Sequence, residues 1–226
     1  MQDEVLALSE VWKSYRDEEF VLKGVSMRVG AGEFVGIHGR SGSGKSTLLK
    51  LMGLLDSPTR GKVAILGRDA GSLNEAESSR IRLEKIGFIF QGLNLVPHLT
   101  ALENIEVPMW LRGVKSEERK ERASSFLKHF EMENLAGRYP REMSHGEQQR
   151  VAAIRAIVNK PDLILADEPT SHLDDDSARV FLELISRYNR ELRTTVVMVS
   201  TSPDEARVGR SVYGLSNGSL SRESLK

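Results

Sequence analysis

Residues 38–47 read "HGRSGSGKST", with glycines at 39, 42 and 44, a lysine at 45 and hydroxyls at 41, 43, 46 and 47. Gly39, four further residues and then Gly44-Lys45-Ser46 have the spacing of a phosphate-binding loop. The chain has to wrap an anion with its own N–H groups, and side chains at the glycines would block that approach. An apolar stretch that reads as a strand (33–38) comes before the loop, and a helical pattern comes after it. Gly39, Arg40, Ser41, Gly42, Ser43 and Gly44 are therefore expected to cradle phosphates, with Thr47 in the helical turn behind them. The positive end of that helix favours the anion. Lys45 would reach the outer phosphates, and Ser46 would offer a hydroxyl to Mg²⁺. The alternative is a glycine-rich turn that binds nothing, which the filled motif positions between strand and helix argue against.

The metal needs a carboxylate and hydrolysis needs a group that handles water. "LILADEP" (163–169) has both. Asp167 ends a short apolar run that reads as a buried strand, where it would hold Mg²⁺ through water. Glu168 follows directly and would orient or deprotonate the attacking water. Asp-Glu after a strand is often only a solvated strand end; downstream of a phosphate loop it reads as a working pair. "NKPD" (159–162) matches a guanine-reading pattern, but it precedes the metal-binding strand and carries Pro161, so it reads as a turn.

Composition narrows the possibilities. The 226 residues fit one large domain or a domain with a subdomain, and 39% are hydrophobic, enough for a sizeable core. Lys plus Arg equals Asp plus Glu at 32 each, a balance that argues against a nucleic-acid partner. With no cysteine, disulfides, thiolate metal sites and cysteine nucleophiles are excluded, and an intracellular setting fits. No apolar run approaches the ~18 residues of a membrane span, and the start "MQDEVLALSEVW" is acidic and alternating, unlike a signal peptide. A membrane role would need a second chain.

Along the chain, strands are expected at 5–12, 21–29, 33–38, 61–66, 86–90, 162–167 and 194–200, the last being the final clear core strand. Helices are expected at 44–55, through most of 100–139, at 145–158 and at 175–192, the last with Val180, Phe181, Leu184, Ile185 and Tyr188 on one face. Alternating strands and helices imply α/β with a mostly parallel sheet. "REMSHGEQQRVAAIRA" (141–156) adds a capping box, Ser144 with Glu147, at a helix start where Ser144 and Gly146 would be exposed as a second anion site.

Ser144-His145-Gly146-Glu147-Gln148-Gln149-Arg150-Val151, lying just before Asp-Glu-Pro, resembles the signature of the ABC ATPases. The resemblance covers nearly the whole chain. Residues 39–47 are similar to the family's Walker A and 163–169 to its Walker B; Gln91 stands at the Q-loop, Asp174 in "SHLD" (171–174) at the D-loop, and Tyr15 where an aromatic stacks on adenine. "GFIFQGLNLVPHLTALENIEVPM" looks closest to the LolD/MacB branch, which works in lipoprotein release and drug or peptide export. The resemblance implies a P-loop NTPase core (about 1–90 and 160–226) with an N-terminal antiparallel β region and an inserted helical subdomain (about 95–158), together one ABC ATPase domain. It also implies that two subunits, a homodimer, close on ATP. Each nucleotide would lie between Gly39–Thr47 of one copy and Ser144–Gly146 of the other; Ser46, Gln91 and Asp167 would serve Mg²⁺, and Glu168 and Gln91 the chemistry. The partner would be an integral-membrane permease docked at the groove around 91–108, with this chain peripheral on the cytoplasmic face.

Two positions depart from the family. His145 replaces a usual glycine of the signature. Thr201, in "VMVSTSPDEA" (197–206), stands where a histidine usually senses the γ-phosphate. A lost electrostatic contact of that kind costs on the order of 3 kcal/mol in the transition state, so ATP binding with weakened hydrolysis is expected. A non-transport or regulatory ABC ATPase of low activity is the alternative, and a P-loop kinase or GTPase a more distant one.

Overall fold

The computed structural model describes residues 4–16 and 19–223; the first residues of the acidic start lie outside them. In chain order the elements are β1 (Glu4–Arg16), β2 (Glu19–Gly30), β3 (Phe34–His38), α1 (Lys45–Met52), β4 (Arg60–Ile65), β5 (Arg68–Asp69), α2 (Glu75–Lys85), β6 (Ile86–Ile89), α3 (Ala101–Leu111), α4 (Ser116–His129), α5 (His145–Ile157), β7 (Leu163–Asp167), α6 (Asp175–Leu192), β8 (Thr195–Ser200), α7 (Pro203–Ala206), β9 (Ser211–Ser216) and β10 (Ser219–Glu223).

They form two sheets. The smaller, ordered β2-β1-β4-β5, is antiparallel; the larger is ordered β10-β9-β3-β8-β7-β6. In the larger sheet β9, β3, β8, β7 and β6 run parallel and only β10 is antiparallel. Parallel strands covered on both faces need apolar side chains on both. That is why β7 is buried from Leu163 to Ala166 and β8 along its whole length. One apolar cluster joins the small sheet and α1 to one face of the large sheet. A second lies between the other face and α6, around Phe181, Ile185 and Tyr188. A third fills the space among α3, α4 and α5. Helix α5 serves two of them, giving Ala153 and Ile157 to the second and Val151 and Ile154, with Val158 just past its end, to the third.

The α/β expectation, with its antiparallel N-terminal sheet and mostly parallel core, matches this architecture. Some elements differ in detail. Helix α1 stops at Met52 rather than running to 55 because Leu54 turns to φ 56° and the last carbonyls are closed locally, Leu55 N–H on Lys50 O (2.9 Å) and Leu54 N–H on Leu51 O (3.3 Å); at Gly53 a built Cβ would lie 2.5 Å from the Phe88 ring, which keeps that position glycine. Val180 is 38% exposed, off the buried stripe of α6. Strand β8 is not the last core strand, since β9 pairs with β3 in parallel. The signal for the final hairpin was Asn217-Gly218, a two-residue turn with both φ positive, at 50° and 82°. Helix α2 was signalled by the Asn74/Glu77 capping box.

Tyr188 supplies a test of the second cluster. Its hydroxyl donates to the Ile157 carbonyl at 3.1 Å, and burial pushes its pKa up to about 12 from 10.0. The folded state therefore keeps the phenol proton over a range where the unfolded chain loses it. Stability should fall between pH 10 and about 12, by about 3 kcal/mol from this group. In urea titrations across that range, Tyr188→Phe should lose less stability than the wild type.

Candidate nucleotide site

Strand register lines the site up along one edge of the large sheet. His38 pairs with Ser200, Asp167 with Val199, and Ile89 with Ala166. The chain leaves β3, β8, β7 and β6 at their carboxyl ends, so the loop 39–44, Thr201, Glu168 and Gln91 all emerge on the same rim. Ligands of open parallel sheets bind at that rim.

The loop is shaped by close approach and by handedness. A Cβ at Gly39 would lie 2.4 Å from the Leu215 carbonyl oxygen, and Gly44 caps α1 at φ 103°, a region open to glycine. Helices α2, α3, α5 and α6 each start with a side chain accepting a first-turn N–H, from Asn74, Thr100, Ser144 and Asp174. Helix α1 starts with a glycine and has no side-chain cap. Its first-turn donors are thus available to an anion. The Ser43 hydroxyl, buried within the loop, has no hydrogen-bond partner among the described residues. A phosphate oxygen would satisfy both.

Four side chains converge behind the loop. Lys45, 4% exposed, donates to the carbonyls of Gly39 (2.9 Å) and Arg40 (3.1 Å), and its Nζ lies 3.0 Å from Glu168 Oε1. Ser46 donates to Asp167 Oδ1 at 3.1 Å. Burial raises the pKa of Asp167, and the Ser46 hydroxyl and the Lys45 charge partly oppose that rise. A partly buried carboxylate beside a hydroxyl is a pair of hard oxygen donors suited to Mg²⁺, which takes few protein ligands and completes its shell with phosphate oxygens and water. Among the described residues no group of three or more His, Cys, Asp or Glu could hold a metal on its own. Glu168 is held in the left-handed region at φ 42°, a conformation costing on the order of 1 kcal/mol. Three bonds hold it there: its N–H donates to Val199 O (2.9 Å), and its carbonyl accepts from Ser171 N (3.2 Å) and Ser171 Oγ (2.9 Å).

The other predicted residues lie around this centre. Tyr15 is 57% exposed. Its hydroxyl donates to Asp56 (2.8 Å) and lies beside Thr47, and Lys13 Nζ sits 4.7 Å from the ring centroid. Burial, then the Asp56 bond, raises its pKa. Arg40, Ser41 and Gly42 are exposed, as is Gln91 just past β6. Thr201 is exposed immediately after Ser200, whose carbonyl accepts the Gly39 N–H at 3.2 Å. Ser144 and His145 are exposed and Gly146 is half-buried. The capping box is present, with Glu147 N donating to Ser144 Oγ (3.2 Å) and Ser144 N to Glu147 Oε2 (2.7 Å). No hydrogen bond joins Ser144 or Gly146 to the loop 39–47 within the chain, among the described residues. Asp174 caps α6, and the Ser177 backbone N–H and then its hydroxyl lower the Asp174 pKa. "NKPD" is a turn: Lys160 has φ 52°, and Asp162 pairs with Lys85 at 3.0 Å.

Several supporting residues were not anticipated. The buried Asn104 bonds Val96, Leu99 and Thr100, setting the loop before α3. Arg155 reaches from α5 to the carbonyls of Leu93 and Asn94, tying that helix to the loop that begins at Gln91, and burial lowers its pKa. Both residues act on backbone atoms, which leave no pattern in the sequence.

Comparison with known proteins bears on this geometry. The ABC transporter family profile matches residues 22–171. The ABC transporter ATP-binding protein YtrE of Bacillus subtilis (strain 168) is 46% identical over 92% of this chain and 90% of that protein. The lipoprotein-releasing system ATP-binding protein LolD of Aquifex aeolicus (strain VF5) is 43% identical over 96% of each. The dimeric post-hydrolysis structure of the ATP-binding cassette MJ0796, from Methanocaldococcus jannaschii, is bound to ADP and Pi. It superposes with a TM-score of 0.89 at 42% identity, over 98% of this chain and 99% of that one.

Proposed function

The chain belongs to the ABC transporter family as an ATP-binding subunit, and from that premise we propose how its own residues bind and hydrolyse ATP. Two copies close face to face. The loop 39–44, Lys45 and the uncapped start of α1 hold the phosphates of one ATP, and Ser144 and Gly146 of the second copy close over them. Tyr15 stacks on the base. Ser46, Asp167 and Gln91 would hold Mg²⁺, which supplies charge neutralisation on the phosphate oxygens. Glu168 takes the proton of the attacking water, and Asp174 and Thr201 border the nucleotide.

The observation that carries this reading is the double pairing Ser46–Asp167 and Lys45–Glu168, set on a rim while an exposed capped helix start faces outward elsewhere in the same chain. A site split over two copies explains why one chain carries both halves without joining them. The γ-phosphate then acts as the bridge, and its loss on hydrolysis releases the pair.

Among the described residues no helix is long and apolar enough to cross a membrane. The transporter relatives support a membrane-embedded permease as the partner that closure drives. We place its docking surface around Gln91, where Phe90 and Val96 are exposed, with this chain peripheral on the cytoplasmic face. A non-transport ABC ATPase is not favoured by transporter relatives that match nearly the whole chain.

Mixing tests the split site. Lys45→Ala removes the loop's cation. Ser144→Asp keeps a capping side chain but sets a negative charge against the phosphate. Each variant alone should be inactive, and mixing them should restore part of the wild-type rate, because a mixed dimer has one intact composite site. A mixture as inactive as its components would refute the split site.

A further inference from the structure

The five histidines occupy distinct settings. His38 bonds Glu223 on β10 at 2.6 Å, His129 bonds Glu191 at 3.1 Å, and His98 is exposed before α3. His145 and His172 instead meet each other edge to face, centroids 5.8 Å apart at 84°, and both are exposed. His145 is the first residue of α5, between Ser144 and Gly146. His172 lies four residues beyond Glu168 in the turn leading to α6. Beside them Gly146 packs on Ser177, where a built Cβ would be 3.1 Å from its hydroxyl. The start of α5 is thus fixed against the segment that descends from Glu168. On the rim just past β8, exposed Thr201 makes no hydrogen bond among the described residues and carries no charge.

We propose that His145 supplies, across the dimer, the side-chain contact to the γ-phosphate that residue 201 does not provide, with His172 as its positioning residue. This rests on the face-to-face reading above. An imidazole can donate an N–H to a phosphate oxygen. Here it would do so from a helix start that favours anions, flanked by the Ser144 hydroxyl and the Gly146 N–H. The two departures from the family then compensate each other: a donor lost from the loop's own chain is replaced by one from the facing chain. His172 holds the ring by an edge-to-face contact that a phenylalanine can reproduce.

The test is a double-mutant cycle on steady-state hydrolysis by the full chain. His145→Asn and His145→Gly should each lower kcat on the order of 100-fold, the lower end of the range for loss of one transition-state donor, with a much smaller change in KM for ATP. Thr201→His should raise the rate of His145→Asn by a larger factor than it raises the wild type. His172→Ala should lower kcat and His172→Phe should largely restore it. Wild-type kcat in both His145 variants, or an equal factor from Thr201→His in both backgrounds, overturns the proposal. The face-to-face reading fails separately, if Glu168→Gln with ATP and Mg²⁺ stays monomeric. A dimer there together with wild-type kcat in His145→Asn removes only the role of His145.

Discussion

Glu168→Gln is expected to cut ATP hydrolysis by about a thousandfold, within the range for loss of a general base, and to leave a dimer that persists with ATP and Mg²⁺. The change is nearly isosteric and should leave the turn alone. The turn is held by the backbone bonds of residue 168 to Val199 and Ser171, and by the Ser171 hydroxyl on the residue 168 carbonyl. Only the carboxylate is lost. At 3.0 Å from Lys45 Nζ in a partly buried site, that carboxylate also repels an incoming phosphate, so its neutral replacement should bind ATP at least as tightly as the wild type. Phosphate release and gel filtration with and without ATP read the two effects independently. A variant that hydrolyses at the wild-type rate would remove Glu168 from the chemistry, and one that loses hydrolysis but elutes only as monomer would remove the bridging nucleotide.

The second large effect concerns folding. Gly36 lies mid-strand in β3, paired with Met198 on one side and Val212 on the other. A Cβ there would lie 1.9 Å from the Ala206 carbonyl oxygen and 2.6 Å from its carbon. The obstacle is backbone at the end of α7, which cannot rotate away as a side chain can. Gly36→Val should destabilise the chain by more than about 3 kcal/mol, beyond ordinary overpacking, and Gly36→Ala should fail in the same direction. Gly137→Ala, where a Cβ would meet nothing within 4 Å, is the control and should change stability by less than about 0.5 kcal/mol. Urea midpoints decide the matter: if Gly36→Ala and Gly137→Ala have equal midpoints, the close crossing of α7 over β3 is wrong. The contact also bears on the site. By lying against β3, the segment after Ser200 places Thr201 next to Gly39.

Much of the site was legible because its chemistry is local. The spacing Gly39 to Gly44-Lys45-Ser46, the apolar run ending in Asp167-Glu168 and the Ser144/Glu147 box each fit within eight residues of chain, where the pattern can be read without knowing the tertiary structure. The α/β class followed from the same short-range patterns. Element ends were less legible: α1 was read three residues too long because its stop is Leu54 in the left-handed region, a conformation that leucine rarely adopts and that its sequence does not signal.

What the sequence by itself determined is the set of groups proposed to meet a triphosphate: the glycine cradle, the lysine, the paired carboxylates and the capped helix start. Only the tertiary structure decided which of them meet each other. Strand order β9-β3-β8-β7-β6 brings Ser46 to Asp167 across 121 residues, sets His145 on His172, and hangs the Gln91 loop from Arg155 and Asn104. The physical reason is range. Backbone conformation and capping are set by residues a few positions apart, whereas contacts between distant segments depend on which strands pair and which helices cover them.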